Sequence, residues 1–193
     1  RTAELQTKGH LTPIRVQAHL LQYPKYDRWF IAEHKRKYAD EIDYIVQHKQ
    51  RMKWMVDFIG QLPGNVLVLF QFIEKHGDPL YEALKAAHTS RPIHMVTGKV
   101  SGEDREDIRA LVETQSNAII AASYGVFSVG VNMKKIHHLV LASPSKSKYR
   151  VLQSIGRGLR LHASKTHFYV HDIVDDAHDA QYNNYAYRHW KKR

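Results

Sequence analysis

Apolar and polar positions alternate along residues 13–22, PIRVQAHLLQ, with Ile14, Val16, Ala18 and Leu20 on one side, which predicts a strand. The period then changes. Ile42, Ile45 and Val46, followed by Met52, Met55, Val56 and Ile59, recur at helical spacing and predict two helices over 26–60, ended by Gly60 and the Pro63-Gly64 turn. VLVLF at 66–70 has no polar face, as expected of a strand buried on both sides within a parallel sheet. Beyond it the pattern predicts a helix over 72–88, a strand at 93–96, and a helix over 102–115 with Glu103 and Asp104 in its first turn. A strand at 117–123, a strand at 137–142, a helix from 146 and a strand at 166–174 complete the series, before an aromatic, basic tail at 179–193. Such alternation implies right-handed crossovers and an α/β fold, a parallel sheet with helices on both faces.

Length and composition narrow the picture. The 193 residues suffice for one such domain and a short extension, and the 43% hydrophobic content is enough for a real core. The net charge of +10 is unevenly spread: residues 121–193 hold 12 Lys and Arg against 4 Asp and Glu, whereas residues 61–120 hold 6 against 8. A basic field of this kind favours a polyanion such as nucleic acid. The absence of cysteine excludes disulfides and thiolate zinc sites. No apolar run approaches the roughly 20 residues needed to span a bilayer, so a membrane role is not expected. The chain opens at Arg1 with neither an initiator methionine nor a signal-peptide pattern, which we read as a piece of something larger.

The densest chemistry lies in QSIGRGLR at 153–160. On a helix, at about 100° per residue, Gln153, Arg157 and Arg160 share an arc of about 60°. Val151, Leu152, Ile155 and Leu159 fall on the opposite side, toward a core. Two guanidiniums held side by side suit phosphate oxygens, which each can contact bidentately. A merely solvated helix has no reason to carry Gly156 and Gly158, each costing about 1 kcal/mol relative to alanine. Their bare backbone leaves room for something to approach that face.

Gln-x-x-Gly-Arg-x-x-Arg ahead of the last strand closely resembles motif VI of superfamily 2 helicases. Other segments resemble the second RecA-like domain of that family, in the same order. VLVLF resembles motif IV, ending in Phe70; VTGKVSGEDRE at 96–106 resembles motif IVa, with Gly98, Lys99 and Arg105. IIAASYGVFSVGVN at 119–132 resembles motif V, with Ser123 where many members carry threonine, then Tyr124, Gly130 and Asn132. Within the family, the runs ASYGVFS, HHLVLA, SIGRGLR and SKT are most similar to the branched-DNA recombination helicases of T4-like phages.

The resemblance implies a second RecA-like domain over 13–175, the tail of an interdomain linker at 1–12, and a C-terminal helical extension at 176–193 that is cut short. ATP with Mg2+ would be bound mainly by a first RecA-like domain of the same parent chain. Arg157 and Arg160 would act on its γ-phosphate as arginine fingers, Gln153 would contact or couple the nucleotide, and Gly130, Asn132 and Gly156 would line it. Phe70, Gly98, Lys99, Arg105, Ser123 and Tyr124 would lie along the nucleic acid. The implied partner is DNA, branched or single-stranded, in recombination, repair or replication, in the cytoplasm of a host cell for a phage protein.

The chain departs from a complete motor. It has no G-x-x-x-x-G-K-[ST], and neither Asp-Glu-x-His nor Asp-Glu-x-Asp, so the fragment alone is expected not to hydrolyse ATP. An RNA helicase, the motor part of a restriction enzyme and a non-catalytic nucleic-acid-binding or partner-docking module of the same fold stay open as alternatives. The DEAD-box form of motif VI usually begins with histidine, not the glutamine found at 153. Among the 14 histidines, His167 and His171 share a strand face but lack a third ligand at metal spacing, so no metal is assigned. His137-His138 is expected to be a surface or edge pair, and Lys35-Arg36-Lys37 a solvated helix face with DNA contact as its alternative. The aromatic tail is expected to pack against a domain more readily than to stack on bases.

Overall fold

Val66–Phe70 runs through the middle of a sheet with a parallel neighbour on each side, and is buried on both faces because helices pack against each of them. The computed structural model describes residues 11–98, 101–125, 133–158 and 160–192, and within these the side chains of residues 105, 148–150, 157 and 158 fall outside the description. In chain order the elements are β1 (Ile14–Gln22), α1 (Lys25–His34), α2 (Tyr38–Val46), α3 (Lys49–Gln61), β2 (Val66–Phe70), a π-helical turn (Ile73–Gly77), and α4 (Asp78–Ala87). Then come β3 (Ile93–Val96), α5 (Gly102–Thr114), β4 (Ile119–Ser123), β5 (His138–Leu141), α6 (Lys148–Gly158), β6 (Phe168–Asp176) and α7 (Tyr185–Lys192). The six strands form one sheet in the order β1-β6-β5-β2-β4-β3, and every neighbouring pair is parallel.

Alternate strand residues feed two cores, as the two-residue period of a strand dictates. Leu67, Leu69, Ile120, Leu139, Leu141 and Val170 pack with Val112 of α5 and Val151 of α6. Val66, Val68, Ile119, Val140 and Ile173 pack with Met55 and Ile59 of α3 and Leu80 and Leu84 of α4. A third core of Tyr23, Ile31, Ile42, Ile45, Ala177 and Ala186, joined by Phe72, lies beyond the strands. Tyr23, Phe72 and Ala177 follow the ends of β1, β2 and β6, so α1, α2 and α7 form a small helical cap on the carboxyl end of the sheet.

Local sequence explains most boundaries. The Ser101 hydroxyl accepts the Asp104 backbone N–H at 3.0 Å and caps α5, whose first turn carries Glu103 and Asp104. Asn65 is fully buried: its amide donates to the carbonyls of Val112 and Gln115, and its oxygen accepts from Ala118 N–H, tying the end of α5 to β4. Gly64 closes the turn before β2 at φ 73°, a left-handed conformation that favours glycine, and a Cβ there would meet His137.

Three expectations need correction. Residues 26–60 hold three helices, because the backbone leaves the helix at Lys35 (φ −125°, ψ 41°) and re-enters one at Tyr38. The helix expected over 72–88 begins as the π-helical turn, which ends at Gly77, so close to the Phe70 ring that any side chain there would collide with it. His138 is no surface residue: it opens a central strand, is buried, and stacks on Tyr169 and His171.

Candidate functional site

All six strands point the same way, so the motif-bearing strand ends share the carboxyl edge of the sheet. Phe70 and Ser123 are register partners at the ends of β2 and β4, and Val96, which ends β3, is level with Ala122. Gly98 follows two residues later, exposed, with no other group within 4 Å of where a side chain would start. Phe70, Ser123 and Tyr124 are buried, at 0, 7 and 2% exposure; Phe70 and Tyr124 underlie this edge, and Ser123 ends β4 at it. Lys99, Gly130 and Asn132 lie outside the described residues, as does the side chain of Arg105.

The arginine-bearing segment sits elsewhere. α6 returns from the carboxyl end of β5 to the start of β6, so its last turn reaches the opposite edge. There the Thr12 hydroxyl, just ahead of β1, donates to the Arg160 carbonyl at 3.2 Å. The structure therefore divides the sequence-chosen residues into two groups, one at the carboxyl ends of β2, β4 and β3, and one along α6.

Along α6 the buried side consists of Val151 and Ser154, flanked by half-buried Ile155. Leu152 is 54% exposed, which corrects its expected place in the core. The outward side carries Leu152, half-buried Gln153 and Gly156, with Arg160 exposed just beyond the helix. Gly156 has open space where a side chain would stand, so packing among the described residues does not demand the glycine. The side chain of Arg157 lies outside the described residues.

Sequence reasoning missed the buried polar seam beside these groups. Arg51 of α3 is 4% exposed and donates to both oxygens of Asp175, at 2.6 and 3.0 Å, and to the Ala142 carbonyl at 2.7 Å. The Tyr23 hydroxyl donates to the same carboxylate at 2.9 Å. Burial works to lower the Arg51 pKa, but the adjacent Asp175 charge outweighs it and the net direction is up. Next to this seam, the ring of His76 meets the Ser143 hydroxyl at 2.9 Å, and burial followed by the Arg51 charge pushes its pKa down to about 3. Across the sheet, His19, His171 and His138 form a hydrogen-bonded chain at 3.0 and 2.9 Å. Burial lowers all three, to about 3 for His171 and about 4 for His138, so their chemistry is that of neutral imidazole.

The cap is held by one carboxylate. Glu41, fully buried, accepts from the Tyr182 hydroxyl and the backbone N–H groups of Tyr185 and Ala186, each at 2.8 Å, and from Asn184 at 3.3 Å. A negative group at the N-terminus of α7 satisfies its free amides and faces the positive end of its dipole. The described residues contain no group of three His, Asp or Glu placed to hold a metal ion, and no helix long and apolar enough to cross a membrane.

Comparisons with known proteins agree with this architecture. The ATP-dependent DNA helicase UvsW of enterobacteria phage T4 is 36% identical over 179 residues, an alignment covering 91% of this chain and 35% of that protein. The crystal structure of T4 UvsW superposes with a TM-score of 0.75 at 33% identity, covering 95% of this chain and 39% of that one. The Sulfolobus solfataricus SWI2/SNF2 ATPase core domain shares the fold, with a TM-score of 0.59 at 9% identity over 84% of this chain and 40% of its own. This chain thus spans about a third of the length of its phage relative. Residues 47–162, more than half of the sequence, match the helicase conserved C-terminal domain. The parallel six-stranded sheet and the segment from α3 to Arg160 therefore make this chain a member of the helicase C-terminal domain family.

Proposed function

We propose that this chain is the second RecA-like motor domain of an ATP-dependent DNA helicase or translocase that acts on branched DNA in recombination, repair or replication. Residues 13–175 would form that domain, residues 1–12 the end of the linker from a first RecA-like domain, and residues 176–193 a helical extension. The observation that carries the reading is α6, which turns an outward face of Gln153 and Gly156 toward open space just before exposed Arg160. Resemblance to phage T4 UvsW, a named ATP-dependent DNA helicase, supports both the nucleotide and DNA. Localisation in a host cytoplasm would follow from a phage origin.

ATP with Mg2+, held mainly by the first domain, would supply the cleavable phosphoanhydride. Gly156 lets a nucleotide approach the backbone of α6, and the donors around it suit phosphate oxygens, so the residues fit the group. Arg157 and Arg160 would stabilise the charge that develops on the γ-phosphate, with Gln153 coupling that contact to the DNA side. Gly130 and Asn132 would line the nucleotide from the motif V segment. Gly98, Lys99, Arg105 and Ser123 would follow the nucleic-acid backbone at the carboxyl edge, where backbone amides, hydroxyls and cations hold phosphates without reading sequence. Phe70 and Tyr124, being buried, would shape that edge from below.

The test is ATP hydrolysis by the longer protein that carries this domain. Branched or single-stranded DNA should raise its turnover. Equal turnover with and without DNA would leave a non-catalytic nucleic-acid module as the better reading, and stimulation by RNA alone would favour an RNA helicase.

A further inference from the structure

α1 lies outside every helicase motif, yet its outward face is unusual. Of the exposed large hydrophobic side chains among the described residues, two are aromatic, Tyr26 at 65% and Trp29 at 48%, and both stand on α1. Their rings are 5.8 Å apart, and Tyr26 also stacks on Phe30 at 6.1 Å. The same stretch of chain carries Lys25, Arg28, Lys35, Arg36 and Lys37, of which Lys25, Arg36 and Lys37 are exposed. Only two carboxylates lie in the same stretch. Asp27 is buried and taken up by the Tyr44 hydroxyl at 2.6 Å and by His48 at 3.5 Å, and Glu33 pairs loosely with Arg36 at 3.8 Å. The stretch is therefore rich in exposed aromatic rings and carries five cations against Glu33 as its one exposed carboxylate.

Its place in the fold adds the second half of the argument. α1 belongs to the helical cap on the carboxyl end of the sheet, and α2 joins that cap to the end of β2. Lys75 of the π-helical turn pairs with Asp43 of α2 at 2.6 Å, and Phe72 enters the cap core. A strand resting on the ends of β4 and β2 would meet the cap next. Bare rings in a basic surround are what single-stranded nucleic acid requires, because any base can stack on a π-face while cations take the phosphates.

We infer that Tyr26 and Trp29 form a stacking platform for unpaired bases of single-stranded DNA, with Lys25, Lys35, Arg36 and Lys37 holding the adjoining phosphates. The inference rests on the nucleic-acid reading above, but its test needs neither nucleotide nor the first domain. Fluorescence anisotropy compares labelled dT20 with an abasic 20-mer, which keeps the phosphates and lacks the bases. The chain should bind dT20 about tenfold tighter, Tyr26→Ala with Trp29→Ala should erase that margin, and Tyr26→Phe with Trp29→Phe should keep it. In a Trp54→Phe, Trp190→Phe background, dT20 should quench the remaining Trp29 fluorescence. Equal binding of the two oligonucleotides by the unmodified chain, or a margin that survives both alanines with helicity unchanged, overturns the platform. So does an absence of any DNA binding, whereas DNA-stimulated turnover by the longer protein would stand or fall separately.

Discussion

Two arginine sites in this molecule use one functional group in opposite ways. Arg51 is buried, meets Asp175 through both carboxylate oxygens, and gives a further hydrogen bond to Ala142, so its donors are spent inside the fold. Arg160 is exposed at the end of a helix whose outward face carries Gly156 beneath open space. A guanidinium costs several kcal/mol to desolvate, so the first site makes sense only as a structural clamp and the second only as solvated surface or as a ligand contact. Burial and pairing distinguish the two roles; residue type does not.

The largest effect should come from the α6 segment. In the longer protein, Arg157→Ala should reduce DNA-stimulated ATP turnover by about 10³-fold or more, the scale of arginine fingers in nucleotide hydrolases. Equilibrium nucleotide binding should change little, because a finger acts on charge present in the transition state. Steady-state turnover alongside fluorescent-nucleotide titration separates the two quantities. Unchanged turnover would turn the α6 arginines into solvated surface and dissolve the contrast with Arg51.

The buried site should answer in stability instead. Arg51→Met leaves the Asp175 carboxylate buried without its cation and should cost about 3–5 kcal/mol, read as a lowered urea midpoint at unchanged slope. Replacing both partners at once, Arg51→Met with Asp175→Leu, should recover a large part of that loss, since two apolar groups leave no unpaired charge. A double variant as unstable as the single one would mean that the seam is held by Tyr23 and Ala142 rather than by the ion pair.

This contrast also explains what the sequence could disclose. Strand β2 was legible to the residue, because an uninterrupted apolar run such as VLVLF reports burial on both faces without knowledge of its neighbours. The motif residues were legible through resemblance, and their sorting into a carboxyl-edge group and an α6 group was not, since it depends on α6 running back across the sheet. Leu152 was misread because a helical wheel assumes a wide apolar face, whereas α6 buries Val151 and Ser154 on a narrow one. Arg51, Glu41 and the His19–His171–His138 chain gave no sequence signal. The partners named for Arg51 are 91 and 124 residues away and those of Glu41 are 141 or more, and buried polar residues look like surface until the fold pairs them. Tyr26 and Trp29 were not singled out either, since a helical period does not show which aromatic side chains face water.

The buried region should also carry the pH dependence, at an intermediate scale. His76 and His171 are lowered to about 3 and His138 to about 4, against 6.5 for an unfolded imidazole. As pH falls, the unfolded chain binds protons that the folded chain refuses, so stability is whole above about pH 6.5 and declines progressively toward about pH 3–4. His76, fully enclosed, should alone account for about 2 kcal/mol of loss at pH 5. Urea unfolding at pH 8 and pH 5 measures it, and His76→Asn should shrink the difference. A midpoint independent of pH over that range would mean that these rings take up protons in the folded state.

The smallest effect gives the sharpest separation, because it should move stability and activity in opposite directions. Gly156 lies within α6, and a methyl group there meets none of the described residues within 4 Å. Gly156→Ala should therefore stabilise the isolated chain by up to about 1 kcal/mol through helix propensity, raising its thermal midpoint by a few degrees. If the glycine exists so that a nucleotide can approach the helix backbone, the same methyl should raise the KM for ATP or lower turnover in the longer protein. A stabilised protein with unaltered kinetics would remove Gly156 from the site while leaving the arginines in it. A stabilised protein with impaired kinetics would instead show that α6 gives up helix stability at the one position where its outward face must stay bare.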